Sequence, residues 1–139
     1  MYKLKYSLLL PIAMMYAASI CAMTTTPTQL GRRAAEEKIA ELVIKEREAR
    51  EKTLSPCKAY GDLDRMGWHD AEEKLPKIKS ESPECISPYN GYLSAQIELL
   101  EEENRQANNL FWDKDHAERK ASKNRIQIEY LKERQAWLK

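Results

Sequence analysis

This sequence predicts an all-α fold, and three observations predict it. Beyond the first 23 residues, apolar positions recur at helical spacing in two long stretches. The last 47 residues, from Leu93 onward, contain neither proline nor glycine. Charged residues reach 32% and Phe111 is the only phenylalanine, so the apolar supply is thin for a sheet core but adequate for helix-on-helix seams. The expected organisation is a signal peptide or signal anchor at 1–22, a linker at 23–29 and a single helical domain at 30–139, within the usual size of one domain.

The N-terminus carries Lys3 and Lys5 and no acid, followed by the charge-free stretch SLLLPIAMMYAASICAM. Its apolar run of about 15 residues suits a signal-peptide core better than a spanning helix, which needs about 20. Pro11 would disturb a long-lived helix. Cleavage after Ala22 places Ile20 at the −3 position, whereas cleavage after Ser19 places the smaller Ala17 there and retains Cys21. Lipid modification of Cys21 is disfavoured by the bulk of Ile20 before it. An uncleaved anchor is the alternative. TTTPTQ, with Pro27, then reads as a linker.

Residues 30–53 form the first expected helix. Ala35, Ile39, Leu42, Val43 and Ala49 make one apolar stripe, and Glu41–Lys45, Glu46–Arg50 and Glu48–Lys52 fall as acid-before-base pairs at i,i+4. Pro56 stops the helix. Residues 54–92 hold four prolines and three glycines and read as an irregular connection. Within it a short helix is expected at 70–75, with Asp70 as N-cap, and 80–92 reads as loop with a turn at Asn90–Gly91.

Residues 93–139 predict a long, coiled-coil-like helix, about 70 Å if straight, or a helical hairpin if it breaks near Asp113. Leu93, Leu100, Ala107, Leu110, Ala117, Ala121, Ile128, Leu131 and Leu138 trace the seam, interrupted by Lys114 and Asn124. Residues 93–118 carry seven acids and two bases, and residues 119–139 carry two acids and seven bases. That polarity complements the helix dipole and favours antiparallel pairing, within one chain or between two copies.

Once Cys21 leaves with the signal, Cys57 and Cys85 remain as an even pair in an oxidising compartment. A Cys57–Cys85 disulfide would tie the proline-rich connection to both helices; free thiols or pairing with another chain are the alternatives. If Cys21 is retained, it becomes a thiol able to link two chains.

Composition and motifs argue against several function classes. Without Lys3 and Lys5 the chain has 21 bases and 22 acids, which supplies no basic face for nucleic acid. His69 and His116 lie near acidic residues but match no metal-ligand spacing. No serine sits in a nucleophile-elbow context and no glycine loop could cradle a phosphate. No catalytic residue, metal or cofactor is therefore expected. Leu110, Phe111 and Trp112 form the densest apolar cluster of the last stretch. They serve either as packing against the first helix or as a candidate partner-binding patch.

The expected role is an exported, periplasmic or extracellular, helical interaction or structural protein. It would act on a protein partner or by self-association through its helices, and would touch a membrane only through an uncleaved N-terminus. The absence of a glycosylation sequon is consistent with a bacterial periplasm. An inner-membrane-anchored envelope protein with a periplasmic coiled coil, and a small metal binder or hydrolase using His69 or His116, are the alternatives.

Overall fold

The computed structural model of the chain describes residues 29–111 and 113–139. The expected signal segment with Cys21, nearly all of the expected linker, and Trp112 lie outside the described residues. Six helices follow in order: α1 Gln29–Leu54, α2 Lys58–Arg65, α3 Trp68–Glu81, α4 Ile86–Arg105, α5 Ala107–Leu110 and α6 Lys114–Trp137, with a 3₁₀ turn at Pro83–Cys85 before α4. No strand occurs among the described residues.

The stripe on α1 faces inward: Ala35 and Leu42 are buried, and Ile39, Val43 and Ala49 are partly so. Glu46 continues that stripe, buried while its carboxylate accepts from Arg50 Nη2 at 3.2 and 3.3 Å. Lys45 reaches across to Glu98 of α4 at 2.8 Å instead of pairing with Glu41. α1 ends at Leu54, two residues before Pro56. Thr53 Oγ1 then donates to the Pro88 carbonyl of α4 at 3.1 Å, which sets α1 antiparallel to α4.

The irregular connection expected at 54–92 is instead mostly helical. The prolines stand where a helix tolerates them. Pro56 lies in the turn before α2, Pro83 opens the 3₁₀ turn, and Pro88 occupies the first turn of α4, where its missing N–H would have no intrahelical acceptor. Pro76 is the exception: it lies inside α3, and packing of Ala71, Leu75 and Ile78 carries the helix past it. The helix expected at 70–75 thus extends over Trp68–Glu81, with Gly67 rather than Asp70 at its N-cap. Asn90 and Gly91, expected in a turn, lie within α4.

The chain from Leu93 does not run as one helix. α4 ends at Arg105, a single turn forms α5, and Asp113 caps α6 by accepting from the Asp115 N–H at 3.0 Å. α6 returns antiparallel along α4. Gln135 Nε2 donates to Ser94 Oγ at 2.7 Å, and near the other end Asn124 Nδ2 donates to Glu103 Oε1 at 3.0 Å. The basic half of α6 therefore lies along the acidic half of α4, with Lys132 at 3.5 Å from Glu101. Asn124, an interruption of the apolar seam, is buried because Glu103 and Asn104 accept its amide hydrogens.

α4 is the middle of this frame, with α1 and α6 against it. The hairpin α2–α3 covers the end where Trp137, Ile86 and Leu54 meet, and the main core lies beneath it. Tyr60, Tyr89, Leu63 and Leu93 are its largest fully buried side chains. Tyr60 and Tyr89 pack at a 5.0 Å centroid distance, and the Tyr60 hydroxyl donates to the Ser82 carbonyl at 3.2 Å.

Candidate functional site

Cys57 and Cys85 are joined, with Cα atoms 5.9 Å apart, and both are buried. The bond ties the residue just before α2 to the turn just before α4. The hairpin is thus fixed at its base. At its corner, Met66 and Gly67 adopt extended backbone, so α3 folds back and delivers Trp68 at its first position.

Trp68 meets α6. Its ring lies 4.8 Å from that of Tyr130 and 4.6 Å from that of Trp137, and the Arg134 guanidinium stands over it at 5.7 Å. Tyr130, Arg134 and Trp137 fall at i, i+4 and i+7, hence on one face of α6. Asp64, from the last turn of α2, accepts at Oδ1 from the Tyr89 hydroxyl at 2.6 Å and from Arg134 Nη1 at 3.4 Å. Arg134 Nη1 also donates to the Tyr89 oxygen at 3.3 Å. The Asp64 and Arg134 side chains are 22% and 12% exposed, so the pair is partly sheltered at the surface and its charges offset each other. Burial, reinforced by the Asp64 charge and hydrogen bond, pushes the Tyr89 phenol well above its usual range, which keeps it a neutral donor.

Beside this triad lies a cleft of about 460 Å³, walled by Asp64, Met66 and Trp68 from the hairpin, Tyr92 and Gln96 from α4, and Gln127, Tyr130, Leu131 and Arg134 from α6. That volume is typical of small-ligand sites. Gln96 Oε1 is buried and accepts no hydrogen bond, the one such side-chain atom among the described residues. A second cleft, about 570 Å³, lies between α3, Ile86 and Trp137. It is larger but has fewer uncommitted polar groups, and its Lys79 ammonium already donates to the Trp137 carbonyl at 2.7 Å. The first cleft is therefore the candidate site.

Leu110 and Phe111 lie at the opposite end of α6, both half-buried, where α5 packs on α1 and α6. Phe111 meets His116 edge-on at 4.8 Å. The structure does not bring them to the cleft. His69 and His116 are exposed, and no group of three or more His, Cys, Asp or Glu among the described residues is placed to hold a metal. The polar cluster at this same end is self-contained. Glu102 accepts from Arg105 at 2.6 Å and from Gln106 at 2.8 Å, and these bonds, that from Gln106 foremost, lower its pKa.

Sequence reasoning missed the union of Trp68 with α6, since Trp68 lies some sixty residues before Tyr130 and in a stretch without helical periodicity. The one local signal was the i, i+4, i+7 spacing of Tyr130, Arg134 and Trp137. No family model, no curated protein and no solved structure matches the chain.

Proposed function

We propose that the chain is an exported helical interaction protein, without catalytic activity, that binds its partner in the cleft beneath Trp68. One observation carries this reading. The cleft of about 460 Å³ brings the half-exposed ring of Tyr130, Trp68 and the Asp64–Arg134 pair together with the side chains of Gln96 and Gln127. An aromatic wall beside a few polar side chains is suited to holding a ligand.

Export is supported by the lysine–apolar–small order of the first 22 residues and by the buried Cys57–Cys85 bridge, which an oxidising compartment would maintain. Among the described residues no helix is long and apolar enough to cross a membrane. The non-catalytic reading is supported by the ion pair itself: Asp64 and Arg134 are committed to each other and to Tyr89 rather than held as a free acid or base.

The intact mass of the exported protein, with and without reductant, tests the reading. A monomer beginning at Met23 and lighter by two hydrogens before reduction is the expected result. Retention of Met1–Ala22 would favour the anchored protein with its periplasmic coiled coil, and a mass that halves on reduction would favour covalent self-association.

A further inference from the structure

We propose that two copies of this chain meet on the outer face of α6, antiparallel about a two-fold axis that passes between their Ile126 side chains. Only Tyr130 belongs both to this face and to the rim of the cleft, so the pairing stands independently of what the cleft binds.

The apolar part of the face is exposed and contiguous. Ile126 and Tyr130 are 58% and 52% exposed and lie one turn apart on α6. The Tyr130 ring is already held against Trp68 at 4.8 Å, so a contact on its free side orders little more. The other large exposed apolar residues, Leu30 and Ile44, lie about four turns apart on α1, with Glu37 midway on the same face. They make no such patch.

Charge selects a second copy and sets its direction. Arg119 and Lys123 are one turn apart and both basic, and Glu129 and Glu133 are one turn apart and both acidic. All four are exposed. None takes part in an ion pair among the described residues, although Asp115 and Arg125 stand one turn from Arg119 and Glu129. Like charges at i,i+4 destabilise a helix, and a partner of opposite charge relieves that. The basic pair stands seven and three residues before Ile126, the acidic pair three and seven residues after it. An antiparallel copy centred on Ile126 therefore brings each basic pair level with an acidic pair, twice by symmetry. Arg119 and Glu133 lie within about 20° of the direction of Ile126 and oppose each other most directly. Tyr130 comes level with Ser122 of the other copy, whose small side chain leaves room for the ring. A parallel copy would set like charges against like. The longer polarity of residues 93–139 does not compete, because α4 and α6 satisfy it within the chain, as Lys132 does with Glu101.

A contact over residues 119–133 covers about 21 Å of helix, less than a standard interface, so the dimer is weak and reversible.

The test is sedimentation velocity on the oxidised exported chain from about 1 µM to about 1 mM. A monomer–dimer equilibrium is expected. Ile126→Glu, Arg119→Glu and Glu133→Arg should each weaken it about tenfold or more. The double variant Arg119→Glu/Glu133→Arg should dimerise as wild type does, because the opposed charges are then exchanged and complementary again. All variants should melt as wild type does when dilute, since the altered side chains are exposed. A chain that stays monomeric throughout, a dimer untouched by any one of the three single substitutions, or a double variant no tighter than the single ones would overturn the proposal.

Discussion

Outside the main core cluster, the buried side chains of α1, α4, α5 and α6 are mostly small or polar, Ala35, Ala95, Ala107, Ala117, Glu46, Thr53, Glu102 and Asn124, with Leu42 the large apolar one. Beneath α2–α3 they are Tyr60, Leu63, Leu75 and Tyr89. The two regions are built on opposite terms. The long helices gain their shape from backbone hydrogen bonding over many turns and need only a narrow seam. The hairpin has helices of 8 and 14 residues, too short to hold alone, and depends on large buried rings and a covalent tie. The part of the chain richest in helix breakers thus carries the best-buried side chains, and it also forms one wall of the cleft.

Breaking what both regions share should have the largest effect. Leu93 is fully buried at the junction, and Leu93→Ala is expected to lower stability by about 2–5 kcal/mol in urea denaturation, through lost burial and the cavity left behind. Both regions should then unfold together. A transition in which the long helices outlast the hairpin would place Leu93 outside the shared core.

Replacing both Cys57 and Cys85 by serine separates the regions. Their sequence separation is 28, for which chain-entropy reasoning gives a loss of about 3.5 kcal/mol. Far-ultraviolet circular dichroism at room temperature should keep the signal of α1, α4 and α6 and lose part of that of α2 and α3. A spectrum and melting curve equal to wild type would show that the rings alone hold the hairpin.

The difference explains what the sequence could reveal. The stripe on α1 was legible because Ala35, Ile39 and Leu42 repeat at helical spacing over an uninterrupted stretch. The pairing of Cys57 with Cys85 was legible because only two cysteines lie beyond the expected export segment. The helices α2 and α3 were not. Composition counts the prolines of 54–92 as breakers, yet Pro56, Pro83 and Pro88 stand between helices or in a first turn and remove no intrahelical bond, while the packing of Ala71, Leu75 and Ile78 carries α3 past Pro76. The return of the chain as a hairpin was one of two readings. The cleft was hidden for a different reason: Asp64, Gln96 and Arg134 become neighbours only through tertiary packing, and no local period encodes that.

Smaller effects sharpen the comparison at its polar contacts. Tyr89→Phe removes the donor to Asp64 Oδ1 and should cost about 1–2 kcal/mol at neutral pH by thermal or urea unfolding. It should also change the alkaline limb. The folded protein holds the Tyr89 proton beyond the point where an unfolded tyrosine releases it, so stability is full below about pH 10 and falls as pH rises above it. Burial shifts Tyr60 and Tyr92 in the same direction. The phenylalanine variant should therefore lose less stability between neutral pH and pH 11 than wild type does. An identical alkaline limb would mean that Tyr89 is not the buried phenol it is taken to be.

At the far end of the frame, Glu102 contributes to the acid limb. Its lowered pKa contributes stability above the ordinary carboxylate range, and that contribution is lost as pH falls through its folded-state pKa. Glu102→Gln should flatten the acid limb by less than about 1 kcal/mol, because Arg105 is 61% exposed and screened by solvent. A larger change would indicate that this end is held more by charge than by its alanines.

The bridge as the tie that keeps the hairpin, and with it the wall of the cleft, on the long-helix frame is tested most directly by hydrogen exchange on the oxidised and reduced chain. On reduction, amides of 58–81 should lose protection while those of α4 and α6 largely keep theirs, the signature of a hairpin that opens on its own. Equal loss in all helices, or unchanged protection in 58–81, would contradict that role for Cys57–Cys85.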